Sequence, residues 1–393
     1  MNIAIVGAGP AGLIAALAAR KCGFEVVVFE QAPDFKRIGG GILIHSNGLR
    51  VFDALGVLGG FEPAMRPIQR LRAIVPPARI VGEVDYAALP IAQNRCAVTM
   101  RYELQEYLLA CAQGAGIEVR FGHRLGGLDR REHGAVLRFD GDGAHEAAIV
   151  LACDGINSVA RETAGLAGRN HPIGEAYLRA IAQRATDAEV IRELWGADGR
   201  RFGICPMTHG RTYIFCSVAL GRWDAIRAGG LGEWIESWRP FSAEVVELLR
   251  AVPDWDRVSY DELHELRLDR WFAPPVFVIG DAAHAMTPNL GQGANCAMVD
   301  ALVVVRLLAE ARDRGQTIEQ AGARYESIRK RFVTRIQTTA RQMGAAAAYV
   351  SPAARAIRNA ILSGLGRAKP LMRRSALLGA GYNPAENEFL TRM

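Results

Sequence analysis

Gly7-Ala8-Gly9-Pro10-Ala11-Gly12 is the first segment of this chain whose residue types and spacing can do chemistry. In a G-x-G-x-x-G loop the first glycine permits a tight turn, the second lets backbone approach a pyrophosphate, and the third packs a helix on a strand. Amides at the start of the following helix, with its positive dipole end, would hold the phosphates. Glu30 stands where a carboxylate accepts hydrogen bonds from an adenosine ribose. The loop has meaning only in context, and the context is present. Asn2-Ile3-Ala4-Ile5-Val6 reads as a buried strand ahead of it, and an apolar helix runs on through Ala19. Glu25-Val26-Val27-Val28-Phe29 reads as the strand that ends at Glu30. The chemistry implied is dinucleotide binding.

A second acid indicates which dinucleotide. Phe277-Val278-Ile279-Gly280-Asp281 reads as a strand running into a polar turn. Pro288-Asn289-Leu290-Gly291-Gln292-Gly293-Ala294-Asn295 follows as a glycine-rich loop, opening a helix from about Ala294 to Arg312. A simple nicotinamide dehydrogenase has no need for a second acidic strand end aimed at the same cofactor. A flavin does. Its ribityl hydroxyls suit Asp281, and the negative charge of its reduced ring suits backbone amides of Gly291, Gln292, Gly293 and Ala294 at a helix start. Pro288 and Asn289 are expected to border the flavin's reactive edge.

With these segments the chain resembles the single-component FAD-dependent aromatic hydroxylases, a family that includes salicylate, urate and alkylquinolone hydroxylases. Three further motifs carry the resemblance, which covers nearly the whole chain. Ile38-Gly39-Gly40-Gly41-Ile42 with Ser46-Asn47-Gly48-Leu49 is similar to the family's G-x-G-I…P-N-A-L segment, with Ser46 where proline is more usual. Arg101-Tyr102-Glu103-Leu104 supplies the arginine that contacts FAD in such enzymes. Cys153-Asp154-Gly155, running on to Arg161, resembles the D-G motif that serves both FAD and the passing nicotinamide nucleotide. The resemblance implies an α/β fold: a Rossmann-type FAD-binding domain with an inserted mixed-sheet substrate domain and C-terminal helices. It implies cofactor contacts at Gly7, Gly9, Ala11, Gly12, Glu30, Gln31, Leu43, Arg101, Leu125 and Asp154. In the second segment it implies them at Asp281, Pro288, Gly291, Gln292, Gly293, Ala294 and Asn295. The activity implied uses NADH or NADPH as transient reductant and O₂. It hydroxylates a small aromatic or heteroaromatic molecule through a flavin C4a-hydroperoxide.

The same resemblance extends to a hairpin around the turn Thr208-His209-Gly210, where the family's arginine and tyrosine line the substrate pocket. Arg201 and Tyr213 fit that spacing. Arg201 would hold an anionic or carbonyl oxygen through its fork of donors, and Tyr213 would hydrogen-bond a ring substituent. His45 lies two residues after Leu43 in an extended piece, so both should face the flavin pocket, and His45 becomes a candidate general base. His209 reads as a solvated turn residue and His284 as a structural hydrogen-bonding group.

These positions need a scaffold. Residues 1–70, 98–170 and 270–344 read as the FAD-binding domain, with a β-α-β unit and then a loop in residues 1–70. Residues 71–97 and 171–269 read as the substrate domain, rich in alternating strands such as Phe202–Met207 and Thr212–Leu220, with helices near Gly232–Arg239 and Ser242–Ala251. Helices are expected at Arg101–Gly114, Thr317–Gly344 and Pro352–Leu365, and residues 345–393 form a C-terminal helical segment. Two strands, Glu118–Phe121 and Ala135–Phe139, should follow the helix at Arg101, ahead of a third at Ile149–Cys153. Only one G-x-G-x-x-G follows a strand, so the nicotinamide nucleotide has no Rossmann domain of its own.

Composition sets the outer bounds. Half of the 393 residues are hydrophobic and 22% are charged, which suits a globular core and argues against disorder. The seven cysteines are scattered with no C-x-x-C pair, so neither a disulfide framework nor a metal centre is expected. Net charge is +6 without basic and aromatic residues interleaved on one stripe, so nucleic-acid binding is not expected. With the first strand at residue 2 and no apolar run long enough to span a bilayer, the expectation is a cytoplasmic monomer or homodimer. Two rival readings stay open. A flavin halogenase would need a W-x-W-x-I-P stretch and a catalytic lysine; no W-x-W occurs, and the lysines are Lys21, Lys36, Lys330 and Lys369. The other rival is a non-enzymatic flavin-binding or redox-regulatory protein.

Overall fold

A computed structural model of the chain describes residues 1–35, 37, 40–141, 143–186, 189–367 and 369–393. Ile38 and Gly39 of the glycine segment, and Lys36, lie outside the described residues. The apolar runs at Asn2–Val6, Glu25–Phe29, Ile149–Ala152 and Val276–Val278 form the centre of a six-stranded sheet. They pair in parallel, with Ile3 opposite both Val26 and Ile149. Glu118–Arg120 closes one edge in parallel and Phe272–Ala273 the other in antiparallel. Strands buried on both faces lose the alternation of a half-exposed sheet, which is why these runs are continuously apolar. Helix Pro10–Lys21 packs on this sheet between helices Arg101–Gly114 and Gly293–Arg314.

The second large sheet has seven strands, in the order 258–268, 168–182, 212–219, 201–206, 190–195, 70–75, 79–85. All neighbours are antiparallel except 190–195 with 70–75. Its two faces are sorted by residue parity. Leu178, Phe202, Ile204, Ile214 and Cys216 point to one face, where they meet Trp234 of helix Leu231–Glu236, Leu248 of helix Ala243–Arg250 and Trp238 from the turn between them, with a third short helix, Trp223–Gly229, alongside. The intervening Tyr177, Arg179, Tyr213 and Phe215 point to the other, toward the six-stranded sheet. That is the face a ligand meets.

Four expectations need correction. The stretch after the second strand is not a loop: it holds a strand, Gly41–Ile44, and a helix, Ser46–Leu55. The Ser-Asn-Gly start reads as a turn, yet Leu49, Phe52 and Leu55 bury against the long helix at Gly293. At Gly48 the approach is so close that an added Cβ would lie 2.3 Å from the Asn295 side chain. Between Glu118 and Ile149 there are two strands beyond those expected, Leu125–Arg131 and Gly143–Ala147, flanking Gly134–Phe139 in a three-stranded antiparallel sheet. Their glycines and charges hide the alternation. Helix Trp223–Gly229 was not anticipated, and residues 369–379 add a second C-terminal helix beyond Pro352–Arg367.

One buried cluster ties the later segments together. Arg329, on helix Ile318–Ala347, has no exposed side-chain surface. Its Nε donates to Asp300 Oδ1 at 2.6 Å, its Nη2 to the Cys296 carbonyl at 3.1 Å, and its Nη1 to Glu386 near the C-terminus. Asp300 also takes a 2.5 Å bond from His284 Nε2 and, more weakly, the Gly280 amide. Burial alone would push the Asp300 carboxyl up, but Arg329 and His284 outweigh it and hold it below its usual range. Removing one partner of a buried pair strands the others, so Arg329→Met should cost about 3–5 kcal/mol. Denaturant unfolding at neutral pH checks this, and an unchanged midpoint would mean the cluster contributes no net stability.

Candidate active site

The glycine loop is shaped by two close approaches and one opening. Gly7 has φ +98°, and a Cβ there would sit 2.5 Å from the Cys153 carbonyl oxygen; one at Gly12 would sit 1.9 Å from the Gly7 oxygen. At Gly9 nothing lies within 4 Å of such a carbon, and the residue borders the main cavity with Pro10 and Ala11. Only glycine leaves that space free for a ligand. The helix that begins at Pro10 has no side-chain cap, so its dipole end faces the opening. Glu30 braces the loop from the side: its two carboxylate oxygens accept the amides of Ala8 (2.8 Å) and Ala32 (2.9 Å). A carboxylate has about four acceptor positions, so capacity for ribose hydroxyls remains. Gln31 is exposed beside it. The Leu125 side chain is buried in the core, so any cofactor contact there must come from backbone. Asp154 sits against Gly7; its Oδ2 accepts the Ala160 amide at 3.1 Å, while Oδ1 is buried without a partner. Burial pushes this carboxyl up.

Across the cavity stands the second motif. Asp281 follows Gly280 at the end of strand Val276–Val278, is exposed into the cavity, and has no hydrogen-bond partner among the described residues. Pro288, Gly291, Gly293 and Ala294 line the wall beyond it, where helix Gly293–Arg314 also begins without a side-chain cap. Gln292 and Asn295 turn their side chains away from the cavity. Gln292 donates to the Gly379 carbonyl (2.7 Å) and accepts from Asn47 (3.0 Å). Asn295 accepts the His45 amide and donates to the carbonyls of Leu43 and Gly291, each at 2.9 Å. Both residues therefore shape the loop, leaving its backbone for a ligand. Leu43 and Arg101 border the same space, and the Arg101 guanidinium has no partner among the described residues.

The cavity holds about 1400 Å³ and runs from Gly9 to the inward face of the seven-stranded sheet. Tyr213 is in that wall, its ring flat against Gly40–Gly41; a Cβ at Gly41 would lie 2.6 Å from Cγ. Arg201 is not in the wall. It has the right parity, but its side chain is 1% exposed and lies behind Tyr177, with the guanidinium 5.2 Å from the ring centre. Its fork is taken by Glu175 (2.6 Å), Glu193 (3.6 Å) and the Asn289 side-chain oxygen (2.6 Å). Asn289 in turn accepts from Tyr177 (2.8 Å) and donates to the Ala340 carbonyl (3.0 Å). Arg201 thus fixes the Pro288–Leu290 turn through Asn289. On strand 168–182, Arg179, paired with Asp261, does face the cavity. Its placement beside Tyr213 could have been read from strand parity once residues 168–182 were recognised as one long strand.

His45 lies at the junction of both motifs. Its ring is 1% exposed and borders the cavity; Nδ1 is 2.6 Å from the Tyr86 hydroxyl, and Nε2 has no partner. Burial lowers its pKa to about 4, so the imidazole is neutral at pH 7. Tyr86 itself was not anticipated, because the proline-broken stretch around it carries no periodic signal.

Two measurements test this geometry. Between pH 6.5 and about 4 the unfolded chain binds a proton at residue 45 that the folded protein refuses. Stability from the neutral ring is therefore full above pH 6.5 and falls by about 3 kcal/mol toward pH 4. His45→Gln should flatten that part of the stability–pH curve; parallel curves for the two proteins would overturn the assignment. Arg201→Ala should strand two partly buried carboxylates and lower stability by about 3 kcal/mol, the low end for a broken buried pair. An unaltered unfolding midpoint would place Arg201 outside any structural role.

The main features suit FAD: open space at Gly9, two uncapped helix starts, an unpaired Asp281 and an orphaned Asp154 oxygen around one cavity. Known proteins agree. The chain is 29% identical over 340 residues to 2-heptyl-3-hydroxy-4(1H)-quinolone synthase of Pseudomonas aeruginosa, covering 84% of this chain and 87% of that protein. It is 30% identical over 374 residues to the 3-amino-4-hydroxybenzoate 2-monooxygenase PtmB3 of Streptomyces platensis, covering 87% of each. The fold matches that of Klebsiella pneumoniae HpxO, solved with FAD and uric acid, at a TM-score of 0.81 and 24% identity over 96% of this chain and 97% of that one. A family model described as an FAD binding domain matches residues 1–340, and the chain belongs to that family.

Proposed function

We propose that this protein, an FAD-dependent monooxygenase, uses NAD(P)H and O₂ to hydroxylate a small aromatic or heteroaromatic molecule. The observation that carries the reading is the cavity itself, which joins the glycine loop and Asp281 on one side to the aromatic wall of the seven-stranded sheet on the other. FAD held there would supply the redox chemistry between the nicotinamide and O₂. The loop at Gly7–Gly12, with Glu30, Gln31, Leu125 and Asp154 around it, would hold the nucleotide half. Leu43, Arg101, Asp281, Pro288 and the backbone from Gly291 to Asn295 would hold the flavin half. The amides at the start of helix Gly293–Arg314 would present positive partial charge to the negative charge of a reduced flavin ring.

The remaining residues act on the substrate. Residues 71–97 and 171–269 serve as the substrate domain, with residues 1–70, 98–170 and 270–344 as the FAD domain. Tyr213 and Arg179 present polar groups beside the rings of Tyr177 and Phe215, and Arg201 positions the Pro288–Asn289 turn. A neutral His45 can accept a ring hydroxyl proton at Nε2, while the Tyr86 hydroxyl holds Nδ1. Apolar walls keep water from the reactive centre. The nicotinamide nucleotide docks transiently, and the protein works in the cytoplasm as a monomer or homodimer. The relatives give the halogenase alternative no support. Of the lysines, Lys21 and Lys330 lie off the cavity, Lys36 falls outside the described residues, and the Lys369 side chain does as well.

The test is a panel of aromatic acids, purines and 4-quinolones offered to the purified, yellow, FAD-loaded protein. At least one class should stimulate NAD(P)H oxidation and gain a hydroxyl group. A colourless protein that FAD cannot reconstitute would overturn the reading, as would a reducible flavoprotein that oxygenates no member of the panel.

A further inference from the structure

One carboxylate in the cavity wall has no donor. Glu193 lies in strand 190–195 and borders the cavity with Ile191 and Trp195. Its side chain keeps 15% of its surface accessible, and Arg201 Nη1 stops 3.6 Å short of it. The Trp195 indole nitrogen is buried without a partner, so it does not satisfy Glu193 either. Burial pushes this carboxyl up while Arg201 pulls the other way. A carboxylate left so poorly answered is costly, and a donor placed against it would relieve that cost.

The wall beside Glu193 is a flat aromatic platform. Ala73, Glu193, Gly203, Phe215 and Arg179 stand opposite one another across five adjacent strands. Gly203 has no side chain and the Phe215 ring takes its place; a Cβ there would lie 1.9 Å from Phe215 Cε1. Tyr177 extends the platform, its ring centre 5.5 Å from that of Phe215 and its plane tilted by only 12°. A planar ring lying on Phe215 would turn its edge to Glu193. The arginines around this platform are already answered: Arg179 by Asp261, Arg72 by Glu83, Arg201 by Glu175 and Asn289, and Arg358 by the Ala346 and Ala347 carbonyls. The same cavity takes in Ile357, Ile361, Leu371 and Met372, apolar surface from which a charged substrate gains nothing. A carboxylate is to spare here, and none of these four guanidinium groups is.

We propose that Glu193 selects the substrate by accepting a hydrogen bond from an N–H or O–H at the ring edge, and that the class it admits is uncharged, donor-bearing aromatic rings. This follows if the cavity seats the substrate, as the proposed monooxygenase activity requires. An aromatic carboxylate would meet Glu193 as a like charge, and a ring without a donor would leave Glu193 unpaired.

Isosteric probes test this on the FAD-loaded protein, with binding read from the shift of the flavin's visible spectrum. 4-Quinolone and chromone differ by a ring N–H against a ring oxygen, as do indole and benzofuran, and salicylate is the anionic probe. At least one N–H ring should bind roughly ten- to a hundredfold tighter than its oxygen twin, the span of one hydrogen bond to a charged group. Salicylate should bind weakest. Glu193→Gln preserves size and should shrink the preference by about tenfold; Glu193→Met should abolish it. A merely structural role for Glu193 would instead weaken both twins alike. Should Glu193→Met fail to fold, the wild-type pairs and Glu193→Gln still decide. Twins that bind equally or not at all, salicylate binding tightest, or a preference that survives both substitutions would overturn the assignment. The two readings fail separately. Rings oxygenated with no difference between twins sink the role of Glu193 alone, and a clear difference with no ring oxygenated sinks the monooxygenase reading.

Discussion

A charge with no water around it must be answered by protein, and Arg329 is answered from three directions at once. Asp300 and the Cys296 carbonyl come from the helix that starts at the Gly291–Gly293 loop, and Glu386 comes from the C-terminal turn. Because Asp300 also holds His284 and the Gly280 amide, this buried set fixes the turn from which Asp281 projects. The geometry of the cavity wall at Asp281 therefore depends on an ion cluster that never touches the cavity. Such clusters tolerate the loss of a member poorly, since a stranded buried charge has nothing to replace its partner.

A parallel logic operates on the opposite wall. Arg201 commits its donors to two carboxylates and to Asn289, and Asn289 links the seven-stranded sheet to helix Ile318–Ala347 and to the Pro288 turn. The two sheets are thus held in register across the cavity by side chains behind its surface. What remains in the wall is lightly committed: Asp281 and Arg101 unpaired among the described residues, and His45 with one free ring nitrogen. Groups without internal partners are the ones left for a ligand.

This division explains what could be read from the chain alone. The parallel strands and the backbone motifs at Gly7, Asp281 and Gly291 are local signals, written in apolar runs and glycines whose geometry is set within a few residues. Helix Ser46–Leu55 was hidden because Ser-Asn-Gly has turn chemistry and only the packing of Gly48 on Asn295 makes a helix there. Arg201 was placed on the correct face by spacing, but nothing local shows that Glu175 and Glu193 from two other strands would consume its charge. Tyr86 meets His45 only after the chain has folded, so no spacing could pair them. Legibility ends where a role depends on strands brought together from far apart.

The C-terminal turn has a temporal consequence. Phe389 is 1% exposed, Arg306 donates to the Thr391 carbonyl at 2.8 Å, and the Met393 amide bonds the Ala54 carbonyl at 2.9 Å. Residues 389–393 are thus sewn into the end of helix Ser46–Leu55, an element made much earlier in synthesis. During synthesis the nascent N-terminal portion can collapse early, but the buried guanidinium of Arg329 lacks one of its two carboxylates until Glu386 has been added and has folded against it.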